Sequence, residues 1–101
     1  MYRGTTPTIV LELDTEVSLA NLAEMWVTFK TSTVEVTKLL EDVIIDDTLK
    51  TVTVVLSQEE TLKLYNGRGS VQIRFRDEND LAYVTEIADL NIGKILKEGV
   101  I

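Results

Sequence analysis

Histidine and cysteine are both absent from this chain of 101 residues. Without imidazole or thiolate ligands, zinc sites of the usual kind cannot form, and neither Ser-His-Asp nor Cys-His catalysis is possible. A disulfide framework is excluded as well, so the stability of the fold must come from its core alone. The lack of cysteine does not separate a cytosolic protein from one exposed outside a cell.

Long apolar runs are also absent, since no stretch approaches the roughly 18–20 residues of a membrane-spanning helix. Residues 1–8 carry one charged side chain and no apolar segment follows them, so we expect no signal peptide and no membrane partner. The composition is 45% hydrophobic and 27% charged, with one Pro and five Gly, which excludes a disordered or fibrous chain. A chain of this length predicts one domain over residues 1–101.

Positive charge is scarce, with 10 Lys and Arg against 17 Asp and Glu and a net charge of −7. Nucleic acids draw most of their non-specific affinity from cations on phosphates, so this balance disfavours such a partner. Arg74 and Arg76 alternate with Gln72, but Asp77 and Glu78 follow at once. We therefore expect no nucleic-acid partner and interpret the arginines as a solvated strand face.

The plentiful residues are β-branched: 12 Val, 8 Ile and 13 Thr make up 33 of the 101 positions. These side chains are stiff at χ1 and suit a pleated surface better than a helix. Alternation of apolar and polar residues predicts strands over 8–13, 24–30, 34–40, 43–45, 51–56, 69–77 and 81–90. The last of these alternates imperfectly, which indicates either a bulge or burial of both faces.

One short helix is predicted near residues 58–65, because Ser57 and Glu60 have the spacing of a capping box. We expect Leu62 and Tyr65 of this segment to point inward. The connections are too short for the crossover helices of a parallel sheet. The sequence therefore predicts an all-β fold, an antiparallel immunoglobulin-like β-sandwich of six to eight strands, with an N-terminal arm over 1–7 and a C-terminal tail over 93–101.

The sequence contains few patterns of residues that could bind a metal or a phosphate group or act in catalysis. The acids around Glu41–Asp47 match no calcium-loop spacing, and Asp and Asn commonly make turns by bonding their own backbone. A small sandwich leaves little room for a substrate pocket, and Gly67-Arg68-Gly69 is too short for a phosphate loop. We expect no catalytic residues, no metal, no cofactor and no small-molecule substrate.

Contacts with other proteins are the remaining possibility. Trp26, Phe29 and Phe75 lie in strand patterns that indicate burial, although Trp is also enriched at interfaces, so Trp26 stays open as a contact residue. Tyr2 lies in the arm, and the sequence indicates no residue of the same chain that would contact it. The tail is apolar at Ile95, Leu96, Val100 and Ile101 and could extend a strand, form a helical turn or dock on another subunit.

Three segments carry a family resemblance: the opening RGTTPT at Arg3–Thr8, VTVVLSQEET at Val52–Thr61 and VQIRFR at Val71–Arg76. In these segments the chain resembles a family of small uncharacterised proteins encoded by phages and prophages of Gram-positive bacteria. It is more distantly similar to the N-terminal β-sandwich domains of phage baseplate proteins. Only the opening motif is distinctive. The resemblance implies a virion-associated structural or assembly role, in the tail or baseplate, and no catalytic residues.

This role implies a homo-oligomer or docking on other phage structural proteins, with the chain located in the virion after assembly in the host cytoplasm. Extended arms in such assemblies add a strand to a neighbour's open sheet edge. The residues expected to contact a partner are Tyr2, Arg3, Thr5, Thr6, Thr8 and Ile101. Two alternatives stay open: a carbohydrate-binding or adhesive module, which needs exposed aromatic rings, and an acidic inhibitor that mimics nucleic acid.

Overall fold

The computed structural model describes all residues from Met1 to Ile101 and consists mainly of β-strands. Two antiparallel sheets pack face to face with one short helix, so the predicted β-sandwich is confirmed. The elements are β1 (Thr8–Glu12), β2 (Leu22–Thr31), β3 (Val34–Leu39), a single 3₁₀ turn (Leu40–Asp42), β4 (Val43–Asp46), β5 (Thr51–Val55), α1 (Gln58–Lys63), β6 (Gly67–Asp77), β7 (Ala82–Val84) and β8 (Ala88–Ile92).

The smaller sheet has the strand order β1-β5-β4, and the larger has the order β3-β2-β6-β7, with β8 also pairing with β6. An immunoglobulin domain has strands B, E and D in one sheet and C, F and G in the other, and variable-type domains add C′ beside C. The neighbours found here follow that arrangement, with β1 at the position of strand B. No strand occupies the position of strand A, so β1 is an edge strand.

The core lies between the sheets and is formed by the inward side of each alternating pattern. Met25, Val27 and Phe29 of β2 have no exposed surface, and Val52 and Val54 of β5 are equally buried. The remaining members of the core cluster are Leu13, Leu19, Val36, Leu56, Leu64, Val71, Ile73, Phe75 and Ile92. In the second, fifth and sixth strands, the side of the alternation that carries only apolar residues therefore faces the core.

Helix α1 begins at the expected capping box. The Ser57 hydroxyl accepts from the Glu60 N–H at 3.1 Å, and the Glu60 carboxylate accepts from the Ser57 N–H at 2.9 Å. The inward residues differ from the prediction: Thr61 and Leu64 are buried, Leu62 is half-buried and Tyr65 is 53% exposed. The helix ends at Lys63, so Tyr65 belongs to the extended chain leading to β6 and not to the helical face.

The Glu60 carboxylate also joins α1 to β3. The Lys38 ammonium donates to both of its oxygens, at 2.9 and 3.0 Å. Partial burial alone would raise the pKa of Glu60, but the bonds from the Ser57 N–H and from Lys38 hold that pKa below its ordinary value. Because the pKa is lower in the folded state, these contacts stabilise the fold above the unfolded-state pKa and are lost as the pH falls through the folded one.

We expect Glu60→Gln to lower the free energy of unfolding by about 0.2–1 kcal/mol at pH 7, because Gln still accepts from the Ser57 N–H but loses the charge that pairs with Lys38. The difference from the natural chain should shrink as the pH falls through the lowered pKa of Glu60, because the natural carboxylate then becomes protonated as well. Urea unfolding at pH 7 and pH 3 measures this. Glu59→Gln is the control, because Glu59 lies in the same first turn and is exposed. An equal loss at both pH values would contradict the role of the Glu60 charge.

The last predicted strand is two strands in the structure, β7 and β8, both paired with β6. Thr85 lies at the interruption: its N–H donates to the Ile73 carbonyl at 2.9 Å, and its hydroxyl accepts from the Ile73 N–H at 3.1 Å. The Thr85 hydroxyl oxygen thus takes the place of a main-chain carbonyl as the acceptor for the Ile73 N–H. Burial of both faces is excluded, since Val84 and Ile87 are 59% and 64% exposed. The irregular alternation marks a local break in the strand.

Candidate interaction surfaces

The N-terminal arm lies against its own chain. The Arg3 N–H donates to the Gly93 carbonyl at 3.2 Å, and the Gly93 N–H donates to the Met1 carbonyl at 2.7 Å. These bonds make a short parallel bridge between Tyr2 and Gly93. The Tyr2 ring covers Gly93 so closely that a Cβ there would be 2.3 Å from the ring, and yet Tyr2 remains 61% exposed.

Arg3 anchors the arm to the end of α1. Its guanidinium donates to the carbonyls of Leu62 and Leu64, each at 2.7 Å, and also pairs with the Glu98 carboxylate of the tail. The last carbonyls of a helix lack partners within the helix, so Arg3 supplies donors that α1 cannot. Its side chain is only 15% exposed. Arg3 therefore holds the arm, the helix and the tail together.

The other predicted contact residues have side chains that are more exposed than that of Arg3. The Thr5 carbonyl accepts from the buried Thr61 hydroxyl at 2.9 Å, while the side chains of Thr5, Thr6 and Thr8 are exposed. Ile101 is held through its main chain, which exchanges hydrogen bonds of 2.9 and 3.1 Å with the Gln58 amide. The contact role of these residues, together with Tyr2, stays a prediction, and Arg3 is already engaged within the chain.

Trp26 is where the structure departs most from expectation, since its predicted burial in the core is wrong. The indole is 45% exposed on the outer face of the larger sheet, and the Arg74 guanidinium carbon lies 5.4 Å from the ring centroid. Trp26 shares its side of β2 with Thr28 and Lys30, and this side faces away from the core. Its size and hydrophobicity argued for burial, but the alternation decided its position.

The outer face of the larger sheet carries a continuous row across four strands. Leu39 of β3 is paired with Trp26, Trp26 with Arg74, and Arg74 with Val84 of β7. Leu39 and Val84 are 37% and 59% exposed. We call these four residues the Trp26 row. It combines an aromatic anchor, a guanidinium stacked on that anchor, and an aliphatic side chain at each end.

Polar side chains border the Trp26 row on both sides. On one side the hydroxyls of Thr28 and Thr37 lie 3.2 Å apart. On the other side Arg76 pairs with Asp80 at 3.2 Å. An apolar centre with a polar border is the usual anatomy of a protein interface. Glu24, Trp26, Arg74, Arg76, Ala82 and Tyr83 border a shallow depression of about 180 Å³ beside the indole.

The carboxylates of the acidic turn between β4 and β5 accept hydrogen bonds from within the chain. Asp46 accepts from the N–H groups of Thr48 and Leu49, each at 3.0 Å, as an Asp that makes a turn does. The Lys50 ammonium and the Leu19 N–H, both donating to Asp47, lower the pKa of that carboxyl. No group of three or more acidic side chains is arranged to hold a metal ion.

A cleft of about 490 Å³ opens between the sheets, where β1 faces β6 and β7. Leu11 and Leu13 form one wall, Ile73 and Phe75 the other, and Glu86 contributes to the lining. These walls are mainly aliphatic and aromatic, so the cleft offers apolar surface without a nucleophile supported by a base.

None of the helices has the length and apolar composition needed to cross a membrane. The chain was also compared with known proteins at the level of families, individual sequences and folds. No family model, no curated protein and no solved structure matches it.

Proposed function

We propose that this protein is a non-enzymatic structural or assembly component that docks on other proteins through the Trp26 row. The observation that carries the proposal is the exposed indole of Trp26 with Arg74 stacked on it in the middle of a sheet face. Trp and Arg are the residues that most often dominate binding energy at protein interfaces. A flat sheet face presents them without any rearrangement of the backbone.

The chemistry of the row indicates the kind of partner. A complementary surface would offer an apolar recess for the indole, flanked by carboxylates facing Arg74 and Arg76. Desolvation of the stacked pair would strengthen the attraction between the guanidinium and the ring. The bordering residues Thr28, Thr37 and Asp80 would remain hydrated at the edge of the interface. They would keep water away from the indole at its centre.

The sequence resemblance supports placing this activity in a phage particle. The opening motif and the two internal segments resemble a phage and prophage family, which implies a role in the tail or baseplate. In that setting the partners are other virion proteins or further copies of this chain, and the location is the virion. Components of such particles act in many copies related by symmetry, so one modest interface per copy can suffice.

The test uses the tail proteins encoded beside this gene, produced together with the tagged chain. We expect the natural chain to copurify with one of them and Trp26→Ala to weaken that binding by about tenfold to a hundredfold, the usual loss at a hot spot. Lys30→Ala is the matched control, because Lys30 is exposed on the same face of β2 and belongs neither to the row nor to its border. Purified particles should also react with an antibody against the chain.

Equal binding by Trp26→Ala and the natural chain would reject the Trp26 row as the docking surface. Absence of the chain from purified particles would reject the virion assignment and leave the docking surface to be judged on its own. The two parts of the proposal can therefore fail separately.

One observation favours a carbohydrate-binding module as a second candidate. An exposed indole beside Gln72 and Arg74 resembles a platform on which a sugar ring could stack, and the sequence alone had not indicated an exposed indole. Specific glycan binding that quenches Trp26 fluorescence and disappears in Trp26→Ala would favour this alternative over protein docking.

A further inference from the structure

Strand β1 has one edge without a partner. Its pairing with β5 is framed by two hydrogen bonds, from Leu13 N–H to the Lys50 carbonyl at 2.8 Å and from Leu56 N–H to the Pro7 carbonyl at 3.1 Å. In an antiparallel pair the bonded residues alternate, so the odd-numbered residues of β1 exchange bonds with β5. The N–H and C=O groups of Thr8, Val10 and Glu12 therefore point to the open side.

The other sheet edges carry the features that normally prevent pairing between copies. On β3, Lys38 points inward with Val36 and is bonded to Glu60 of α1. The short β4 is bounded by acids at Asp42 and Asp46. The edge formed by β7 and β8 is interrupted between Val84 and Ala88.

Strand β1 has neither an inward-facing cation nor an interruption. Its sequence from Thr8 to Glu12 contains no cation, no Pro and no bulge, and its only charge is at its last residue. Pro7 does not block the edge, because position 7 belongs to the set that faces β5. The outer face of the smaller sheet also carries exposed aliphatic side chains: Val10 of β1 is 58% exposed, and Val55 of β5 and Ile44 of β4 are 52% and 72% exposed.

We propose that β1 pairs with β1 of a second copy of this chain, antiparallel, with Val10 on the two-fold axis. Val10 would then exchange two main-chain hydrogen bonds with Val10 of the second copy, and Thr8 would exchange them with its Glu12. The three residues that present free polar groups thus bond to one another. The two smaller sheets become one continuous sheet of six strands.

This register is favourable for the side chains as well. On the outer face the two Val10 side chains lie opposite each other, a β-branched pair of the kind that stabilises sheets. On the inner face the half-buried Ile9 and Leu11 meet Leu11 and Ile9 of the second copy. Each Glu12 faces Thr8, and the two Glu12 side chains lie about 14 Å apart along the strands, which removes like-charge contact.

The inference does not depend on the proposed function, since it concerns the smaller sheet and the Trp26 row lies on the larger. Together the two surfaces would make the dimer bivalent, with one Trp26 row on each copy. Multivalent attachment of this kind raises overall affinity without new contacts.

Light scattering tests the dimer directly. We expect the full chain at high micromolar concentration to have twice the monomer mass of 11.3 kDa. Val10→Lys should give the monomer mass, since two cations would then face each other across the axis. Ile44→Lys is the matched control, an exposed β-branched residue on the same face but on the far strand, and it should remain dimeric. A natural chain that is monomeric at millimolar concentration, or a dimeric Val10→Lys, would overturn the proposal.

Two further measurements test the register. Hydrogen exchange at the amides of Val10 and Glu12 should slow as the natural chain is concentrated, and it should not slow in Val10→Lys. Thr8→Lys places a cation opposite Glu12 of the second copy and should tighten the dimer about twofold to tenfold, whereas Thr8→Glu should weaken it similarly. Equal effects of the two Thr8 variants would reject this register, and unchanged exchange would reject strand pairing.

Discussion

Phe29→Ala is expected to lower the free energy of unfolding by about 3–5 kcal/mol, the range measured for buried aromatic residues truncated to Ala. Phe29 has no exposed surface and lies between Val36 of β3 and Val71 of β6, on the inner face of the larger sheet. Both neighbours belong to strands held in place by main-chain bonds, so they cannot close the space left by the ring. A small domain has only about 5–15 kcal/mol of stability in total.

Trp26→Ala is the matched comparison, because it removes a larger aromatic residue from the same strand. We expect a loss of about 1 kcal/mol or less, since the indole is partly exposed and its specific contact is the stacking of Arg74. Urea unfolding followed by circular dichroism measures both variants. A Trp26→Ala chain as unstable as Phe29→Ala would mean that the indole is part of the core and that the Trp26 row is misassigned.

Arg3→Ala should release the arm and destabilise the fold by about 2–4 kcal/mol, because hydrogen bonds from a charged donor contribute about 1.5–3 kcal/mol each. Arg3 donates to the carbonyls of Leu62 and Leu64 from a largely buried position. Without it, those carbonyls at the end of α1 lose their partners. Hydrogen exchange should also accelerate at the Gly93 amide, which is bonded to Met1 in the docked arm.

Two variants control for the loss of one positive charge. Arg68→Ala removes an exposed arginine at the start of β6 and should change the free energy of unfolding by no more than about 0.5 kcal/mol. Arg3→Lys keeps the charge but lacks the planar fork that reaches two carbonyls at once, so it should recover only part of the stability. Gly93 protection unchanged in Arg3→Ala would show that the arm docks without this anchor.

The core and the outer face of the sandwich could be inferred from alternation because a strand has only two sides. Val52 and Val54 of β5, or Val71 and Ile73 of β6, needed no knowledge of their neighbours to be placed inward. Tyr65 was misplaced because its position depends on where α1 ends, and a helix of one or two turns can end a residue early without a change in composition. The interruption at Thr85 depends on a side-chain bond to another strand.

The docking of the arm could not be inferred from sequence at all. Arg3 contacts carbonyls about sixty residues away, and main-chain carbonyls carry no signature in the amino-acid sequence. The same holds for the bridge between Tyr2 and Gly93. Trp26 is different, because the parity it shares with Thr28 and Lys30 was visible. The Trp26 row itself became apparent only with the register that brings Leu39, Arg74 and Val84 alongside the indole.

The bridge between Tyr2 and Gly93 also sets an order of events during synthesis. Residues 1–7 leave the ribosome before the rest of this domain, but the strand, tail and helix that hold them include positions translated more than eighty residues later. Contacts between such distant positions close a long loop and form late. At typical translation rates of about 5–20 residues per second, the arm stays undocked for several seconds in each new chain. During that interval the exposed opening motif is available to chaperones, proteases or an assembling neighbour, whereas in the finished fold it is held between α1 and the tail.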